Sequence, residues 1–424
     1  MAAPVLTIAG TIGRCISESG AATEGLPDKE FDLTTQPEFD SIINTEEQYQ
    51  VATYKKFPFA IERGEDVWVF TNTGDRYLDL YGGHAVVSTG HSHPKIVKAI
   101  ADQASRLIFY SNLVYNDARA RAAKALVEIA PAELTKTFFV NSGTEANENA
   151  LKIARKLTGR EKVISFEGGF HGRTPGSLAA TGIEKYRDGI SPLLEGHVYA
   201  PFGDAASVEA MLDERTAAVI LEPIQSMGGV RMAEPSFYQA LREMVDNVGA
   251  MLIYDEVQTG MGRTGEWFFA GRCGVVPDMV TLAKGIASGV PMGAVLMSEH
   301  IAGEIRSGDL GATFGGGPLA AAALEATVEV IRDERLLENV RENSEYLLGE
   351  LKKLPAVEEV RGLGYLIGIR FKGGDAKRYQ KGLLDRKIIT GLADDVSVLR
   401  LLPPLTLRRL EIDWFLGQLA QLGI

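Results

Sequence analysis

The feature that most constrains the fold is the alternation of short apolar runs with helical patterns between residues 94 and 330. The apolar runs are TFFV, KVISF, AAVILEP, AMLIYDE, MVTLAK and GAVLMS. Alternation on this scale is typical of βαβ units. The sequence therefore predicts an α/β fold whose large domain contains a mainly parallel central sheet.

The regions on either side have a different pattern. Residues 1–44 have no sustained period and predict an N-terminal arm of low local stability. The stretch VWVFTNTGDRYLDL (67–80) predicts a hairpin that turns at residues 72–75. A helical pattern from Pro318 to about Leu354 precedes the strand-like pieces VEEVRGLGYLIGIRF and SVLRLLPPL. We therefore predict a large domain over 91–325 and a smaller α+β domain made of 45–90 and 326–424.

Composition excludes several classes of protein. A chain of 424 residues can form two subdomains around a large core. The net charge of −12, without a basic run, argues against nucleic-acid binding. Cys15 and Cys273 are far apart, which fits a reducing compartment. No stretch resembles a signal peptide or a membrane span, so we expect a cytoplasmic protein.

The stretch KTFFVNSGTEANENALKIARK (136–156) predicts a strand, a tight turn and an amphipathic helix. Ser142 and Glu145 have the spacing of a capping box, so the helix begins about there. Gly143 and Thr144 leave the first backbone N–H groups of this helix without cover. Because a helix N-terminus attracts anions, we predict an anion site at this turn.

Side chains that could bind a ligand also follow the other apolar runs. In a parallel sheet these groups meet at the carboxyl ends of the strands, where ligands bind. They include Phe170, His171 and Arg173 after KVISF, Asp255 after AMLIY, and Lys284 after MVTLA. An anion site, a flat apolar ring, an acid and an amine are together what pyridoxal phosphate requires. Lys284 would supply the amine, Asp255 would face the ring nitrogen, and the N–H groups of Gly143 and Thr144 would bind the phosphate.

Several motifs resemble those of the class III, or ω-, aminotransferases of fold type I. They are NSGTEAN, FHGRT, EPIQ, DEVQTGMGRTG, TLAKG and TFGGGPLAAAA, and their order and spacing are similar to the family pattern. The resemblance extends from about Thr53 to about Leu405. Within the family, GGFHGRT, FPFAIERGEDVWVF and VLRLLPPL are most similar to acetylornithine and ornithine aminotransferases.

The resemblance implies a role for individual residues. Lys284 resembles the lysine that bonds the cofactor and shuttles a proton, and Thr313 resembles a phosphate ligand from the other subunit of a homodimer. The remaining implied cofactor-binding residues are Ser142, Gly143, Thr144, Phe170, Glu222, Asp255, Val257 and Gln258. Val257 and Phe170 would cover the two faces of the ring, Gln258 would lie near its hydroxyl, and Glu222 would support the Asp255 region.

Two arginines resemble the groups that bind substrate carboxylates. Arg173 would bind a carboxylate of the donor, and Arg400 the α-carboxylate of glutamate in the second half-reaction. Three positions depart from the family pattern. Met227 replaces a glutamate that pairs with the second arginine in relatives, so Arg400 needs another partner, water or a substrate anion. His84 replaces an isoleucine or tyrosine that faces the substrate, and Ala312 replaces a serine.

Two motifs suggest other ligands. GMGRTG (260–265) matches a dinucleotide-binding pattern, but DEVQT separates it from the strand. GHSHP offers two histidines without a third metal ligand, and Pro94 is predicted to begin a helix. We therefore predict neither a dinucleotide nor a metal.

The sequence thus predicts an enzyme that transfers an amino group to 2-oxoglutarate. An N-acylated ω-amino acid such as acetylornithine is the first candidate donor, and the alternatives are ornithine, 4-aminobutyrate and carrier-linked lysine. A cofactor-dependent mutase and a non-catalytic dinucleotide-binding protein are the rivals from other classes.

Overall fold

The computed structural model describes residues 39–422. The chain divides into two compact units at the boundary between Pro58 and Phe59. The first unit contains the helix Phe39–Tyr49 (α1), after which Lys56 forms an exposed ion pair with Glu46. All candidate site residues lie in the second unit. The predicted domains, with boundaries after residues 44, 90 and 325, stay predictions.

Helices account for much of the second unit. They are Gly82–Ala85 (α2), Pro94–Arg106 (α3), Asp117–Glu128 (α4), Gly143–Thr158 (α5), Pro175–Ala180 (α6), Ala205–Met211 (α7), Pro235–Val248 (α8), Glu299–Glu304 (α9), Pro318–Asp333 (α10), Leu336–Leu351 (α11), Ala376–Asp385 (α12) and Arg409–Ala420 (α13). Glu184–Tyr186 and Lys284–Ala287 are 3₁₀ turns.

The strands belong to four sheets. They are Ile61–Glu65 (β1), Trp68–Thr71 (β2), Arg76–Asp79 (β3), Lys136–Val140 (β4), Lys162–Phe166 (β5), His197–Ala200 (β6), Thr216–Leu221 (β7), Ile224–Gln225 (β8), Arg231–Met232 (β9), Met251–Asp255 (β10), Met279–Leu282 (β11), Gly293–Met297 (β12), Val357–Leu363 (β13), Leu366–Phe371 (β14), Ile388–Ile389 (β15), Gly391–Leu392 (β16) and Val398–Leu401 (β17).

The central sheet has seven strands in the order β4-β12-β11-β10-β7-β5-β6. Every neighbouring pair is parallel except the two that involve β12, which runs antiparallel to β11 and β4. The predicted mainly parallel sheet is therefore confirmed. The carboxyl ends of β4, β5, β7, β10 and β11 lie at one edge, which we call the carboxyl edge.

Packing on both faces explains why the central strands consist of apolar runs. Every residue of β7 is buried. Val219 and Leu221 belong to one core cluster, whereas Ala218 and Ile220 belong to another. Because side chains alternate along a strand, these two clusters are the layers on opposite faces of the sheet.

Three smaller sheets complete the described part of the second unit, and the smallest is the antiparallel pair β8-β9. One has the order β1-β2-β3-β15, and the antiparallel pairing of β2 with β3 confirms the predicted hairpin and its turn. Another has the order β13-β14-β17-β16. The parallel pairing of β15 with β3 joins the start of the unit to its end.

The prediction of one long helix from Pro318 to about Leu354 is wrong. The structure has two helices, α10 and α11, separated at Arg335, whose φ is +54°. A left-handed residue breaks the helical hydrogen-bond ladder while leaving the apolar period on each side intact. Periodicity alone therefore could not detect the break.

A buried carboxylate fixes the loop that follows β10. Glu256 accepts the N–H of Ala270 at 2.7 Å with Oε1, and the N–H of Phe269 and the hydroxyl of Thr259 at 2.7 and 2.9 Å with Oε2. Burial, opposed by these hydrogen bonds, raises the pKa of Glu256 to about 7. The loop 256–270 is thus held from inside by three donors to one side chain.

We expect Glu256→Gln to lower the free energy of unfolding by about 1–3 kcal/mol at pH 8, because one amide oxygen cannot replace two carboxylate oxygens facing three donors. Denaturant unfolding would measure the change. Glu304→Gln, at an exposed position, is the matched control. Equal stability of both variants and the unmodified chain would show that this carboxylate does not fix the loop.

Candidate active site

The N-terminus of α5 lies directly against the loops after β10 and β11. A Cβ atom on Gly143 would be 2.9 Å from both Cγ atoms of Val257 and 3.5 Å from Cβ of Ala283. Such distances leave no space for a side chain at this position. The candidate phosphate-binding turn, Val257 and the residue before Lys284 therefore meet at the carboxyl edge.

The first turn of α5 leaves two N–H groups available. Ser142 is the N-cap, and its Oγ accepts the N–H of Glu145 at 3.3 Å. By helix geometry, the N–H groups of Gly143 and Thr144 have no partner within the helix. The second half of the predicted capping box differs, because the Glu145 carboxylate accepts the N–H of Asn141 instead of that of Ser142. Two donors at the positive end of a helix suit a phosphate group.

Asp255 is the centre of a buried hydrogen-bond network. Its Oδ2 accepts Nδ1–H of His171 and Nδ2–H of Asn147, both at 2.7 Å, and its Oδ1 accepts the N–H of Val257 at 3.1 Å. Three donors therefore hold the carboxylate in one orientation. The Nε2 atom of His171 is buried and has no hydrogen-bond partner within residues 39–422.

Asn147 and Thr281 complete this network, and sequence reasoning missed both. Thr281 donates to Oδ1 of Asn147 at 2.6 Å, which fixes the amide so that its NH₂ group faces Asp255. The same NH₂ group donates to the carbonyl oxygen of His171 at 2.7 Å. The sequence signal for Asn147 is a polar residue among the apolar positions Ala146 and Ala150 on the buried face of α5.

Lys284 lies two residues after the end of β11 and is partly buried. Burial lowers the pKa of its amine, against the opposing charges of Asp255 and Glu222. A lowered pKa increases the fraction of unprotonated, nucleophilic amine at neutral pH. The φ of Lys284 is +46°, a strained conformation for a side-chain-bearing residue, and such strain is often found at functional sites.

Glu222 orients Phe170 rather than Asp255. Its Oε1 accepts the N–H of Phe170 at 2.8 Å, and its Oε2 accepts that of Ser226 at 3.4 Å. Burial, and then the charge of Asp255, raises the pKa of Glu222 to about 7. Nearby, Oε1 of Gln258 is buried and has no hydrogen-bond partner in the described chain.

Arg400 is buried but has no carboxylate partner in the part of the chain that is described. Its Nε donates to the carbonyl oxygen of Leu392 at 2.9 Å, Nη1 to Oγ of Ser226 at 2.9 Å, and Nη2 to Oη of Tyr81 at 2.8 Å. Burial lowers the pKa of this guanidinium. The sequence predicts that Arg400 needs another protein partner, water or a substrate anion. In the structure, other protein groups are its partners.

Arg173 is exposed and stacks on an aromatic ring that the sequence analysis did not identify. Its Cζ lies 4.3 Å from the ring centroid of Tyr186, and this ring meets Phe170 edge to face at 5.4 Å. Tyr186 therefore contacts both the Arg173 guanidinium and the Phe170 ring.

The remaining candidates for substrate binding, His84 and Ala312, and for phosphate binding across a subunit interface, Thr313, lie in two places. His84 is exposed, and its Nδ1 is 2.9 Å from Oη of Tyr81, next to Arg400. Thr313 is exposed between α9 and α10, where Asn112 bonds the carbonyl oxygen of the preceding Ala312. Within residues 39–422, no side-chain hydrogen bond joins Thr313 to the other candidate residues.

The motifs that suggested other ligands have structural partners. Arg263 of GMGRTG is buried and donates to the carbonyl oxygens of Tyr365 and Pro403. His93 is the N-cap of α3, which begins at Pro94 as predicted. In the described residues, no group of three or more His, Cys, Asp or Glu side chains is arranged to hold a metal ion. Nor does any helix there have the length and apolar character needed to cross a membrane.

Comparison with known proteins agrees with this geometry. The model of the family "Aminotransferase class-III" matches residues 49–422. Acetylornithine aminotransferases of Methanopyrus kandleri and Archaeoglobus fulgidus are 44% and 43% identical to this chain, each over 88% of it, and 96% and 97% of their own lengths are covered. The ornithine aminotransferase of Toxoplasma gondii has a similar structure, with a TM-score of 0.86 and 28% identity over 91% of this chain and 93% of its own.

Lys284, Asp255 and the first turn of α5 offer an amine, a fixed carboxylate and two N–H groups, which are the kinds of group that pyridoxal phosphate requires, and the family match covers all of these residues. The chain belongs to the class-III aminotransferases and is a pyridoxal-phosphate-dependent transaminase.

Proposed function

We propose that this enzyme moves the ω-amino group of an N-acylated diamino acid, such as acetylornithine, to 2-oxoglutarate, giving a semialdehyde and glutamate. The observation that carries the proposal is the partly buried amine of Lys284, whose pKa burial lowers against the charge of Asp255, together with a buried Arg400 guanidinium that has no carboxylate partner within residues 39–422. The relatives named acetylornithine aminotransferase, at 44% and 43% identity, support the donor. The reaction would be a cytoplasmic step of arginine biosynthesis.

The cofactor-binding residues follow from the contacts at the carboxyl edge. The N–H groups of Gly143 and Thr144, beside Ser142, would bind the phosphate, and Thr313 of a second copy would add to it. Val257 and Phe170 would cover the ring, and Gln258 has a buried acceptor that suits the ring hydroxyl.

Lys284 and Asp255 would perform the proton chemistry. When bound, pyridoxal phosphate supplies an electron sink for the electron pair left by a broken C–H bond. The Nζ of Lys284 would accept and return the substrate proton, since burial favours its unprotonated form. Asp255, fixed by His171 and Asn147, would stabilise a positive charge on the ring nitrogen.

The free hydrogen atoms of Arg400 define how a carboxylate would bind. The backbone of Leu392 occupies Nε–H, so the side-on fork made by Nε and Nη2 is blocked. Nη1 donates one of its two hydrogen atoms to Ser226, and Nη2 donates one of its two to Tyr81. Each nitrogen therefore keeps one free N–H. The α-carboxylate of glutamate or 2-oxoglutarate would therefore bind end-on to these two nitrogens.

The two arginines would serve different substrates. Arg173 is exposed and stacked on Tyr186, so a donor carboxylate can reach it without displacing an internal partner. A bulky acyl group fits this open side better than the enclosed side at Arg400. Ornithine remains the second candidate donor, because the similar structure from Toxoplasma gondii is an ornithine aminotransferase.

We also propose a homodimer, because one surface of the monomer exposes many large apolar side chains. It consists of residues 107–115 and Phe314, and we call it the apolar loop surface. Leu113 is 91% exposed and Phe314 62%. Such clustered exposure is typical of a protein interface. The surface is continuous with the Thr313 loop, because Asn112 bonds the carbonyl oxygens of Ala312 and Gly315. A second copy bound at the apolar loop surface would cover the exposed side chains and would bring the Thr313 loop to the subunit interface.

Lys284→Ala should reduce the transaminase rate by a factor on the order of 10²–10⁴, because a positioned acid–base group contributes about that much. The steady-state rate with acetylornithine and 2-oxoglutarate measures the effect. Lys377→Ala, at an exposed position, is the control. A normal rate in Lys284→Ala would refute the mechanism.

Among acetylornithine, ornithine, 4-aminobutyrate and lysine, acetylornithine should have the highest kcat/KM with 2-oxoglutarate. The physical reason is that Arg173 can bind its α-carboxylate while the ω-amine points toward Lys284. If acetylornithine ranked among the poorest donors, the donor assignment would be wrong although the reaction class survived. Turnover without 2-oxoglutarate would instead indicate a mutase.

Leu113→Glu should convert the dimer to a monomer in light scattering, since a buried unpaired carboxylate opposes association. Leu410→Glu is the control, because Leu410 is 78% exposed on α13, outside the apolar loop surface. A dimer that persists in Leu113→Glu, or that dissociates equally in both variants, would contradict this assignment.

A further inference from the structure

We propose that Tyr81 is a specificity-determining positioning residue. Its phenol donates a hydrogen bond to His84 and accepts one from Arg400, and it thereby holds the Arg400 guanidinium in the orientation for end-on binding of an α-carboxylate. This inference rests on the proposed function, which assigns Arg400 to 2-oxoglutarate and glutamate. Tyr81 lies outside the sequence motifs that resemble those of the class III aminotransferases.

The direction of each hydrogen bond follows from the groups involved. A guanidinium is only a donor, so Oη of Tyr81 must accept from Nη2 of Arg400 at 2.8 Å. The phenol proton then points elsewhere, and Nδ1 of His84 lies 2.9 Å from Oη. His84 therefore accepts at Nδ1 and carries its own proton on Nε2. Although His84 is open to solvent on one side, its partial burial, followed by the positive charges of Arg400 and Lys284, lowers its pKa against the negative charge of Asp79, and this direction agrees with a neutral ring.

Tyr81 is held rigidly opposite Arg400. Asp79 accepts the N–H groups of Tyr81 and Gly82 with Oδ1, both at 2.9 Å. The Tyr81 ring lies on Gly391, where an added Cβ would be 1.9 Å from Cε2 of the ring. Gly391 is the residue paired with Arg400 between strands β16 and β17. The ring is thus pressed against the backbone directly across from the arginine.

A left-handed turn brings His84 back onto Tyr81. The φ angles of Gly82, Gly83, His84 and Ala85 are +54°, +57°, +67° and +65°. The Tyr81 and His84 rings are consequently 4.7 Å apart between centroids. Positive φ is unfavourable for histidine and alanine, so the turn stores strain while holding an imidazole acceptor beside the phenol.

The consequence is an arginine that is fixed in place but keeps its charge for substrate. Its three hydrogen-bond acceptors are a carbonyl, a serine hydroxyl and a phenol, all of them neutral. Among the described residues, no carboxylate is bonded to this guanidinium, so none has to leave before a substrate carboxylate binds. The favoured substrate class on this side is therefore an α-carboxylate compound, and an amine without that carboxylate is disfavoured.

Binding of glutarate to the holoenzyme, measured by calorimetry, tests the inference separately from turnover. Tyr81→Phe keeps the ring and removes the acceptor, so the Kd of glutarate should rise by about tenfold, as for loss of a hydrogen bond to a charged group. The KM for 2-oxoglutarate should rise similarly, with kcat and the donor KM changed less than about twofold. Tyr379→Phe is the matched control, a buried tyrosine stacked on Phe371.

Variants of His84 test the proton direction. His84→Ala should weaken glutarate binding as well, because the phenol loses its acceptor. His84→Gln should restore much of the binding, since an amide oxygen accepts the phenol proton.

The outcomes separate the two proposals. Glutarate binding that is equal in Tyr81→Phe and the unmodified enzyme, or absent from both, overturns the role of Tyr81. Equal weakening in Tyr379→Phe overturns it too, because the effect would then be general. If the unmodified enzyme does not use 2-oxoglutarate but glutarate binding still depends on Tyr81, the proposed function fails and the role of Tyr81 in holding a carboxylate site stands.

Discussion

The site depends on one buried hydrogen-bond network, which holds the carboxylate of Asp255. His171 and Asn147 donate to it from the segment after β5 and from α5, and Asn147 is itself fixed by Thr281 on β11. Three segments of the carboxyl edge are therefore connected through a single side chain. An isolated carboxylate at this depth would be strongly destabilising, whereas a carboxylate with three donors is not. The same network fixes the acid whose charge opposes the lowering of the Lys284 pKa by burial.

Buried charges around the site are stabilised mostly by neutral groups. Glu222 and Glu256 accept backbone N–H groups, and Arg400 donates to hydroxyls and a carbonyl oxygen. A neutral partner orients a charged group without cancelling its charge, so the field at the site remains available to ligands. This explains how the chain retains a buried arginine with Met227 at the position where the resemblance implied a glutamate. Burial, against these hydrogen bonds, raises the pKa values of both glutamates.

Sequence patterns predicted the fold well where the signal was local. The apolar runs, the hairpin and the start of α3 at Pro94 are all confirmed, because strands buried on both faces and helix caps have short-range signatures. The break at Arg335 was missed, since a single left-handed residue does not change the apolar period. Candidate residues such as Asp255 and Lys284 could be predicted from the sequence because they lie at or just after the ends of strands. Tyr81 and Tyr186 could not, because their roles depend on tertiary packing, of Tyr81 against the distant Gly391 and of Tyr186 against Arg173 and Phe170.

The central claim is that the amine of Lys284 bonds the cofactor. Reduction of the holoenzyme with borohydride, followed by digestion and mass spectrometry, tests it directly, because reduction makes the bond permanent. The account predicts that the peptide containing Lys284 gains the mass of the reduced cofactor. A cofactor mass on any other lysine, or on none, would contradict it.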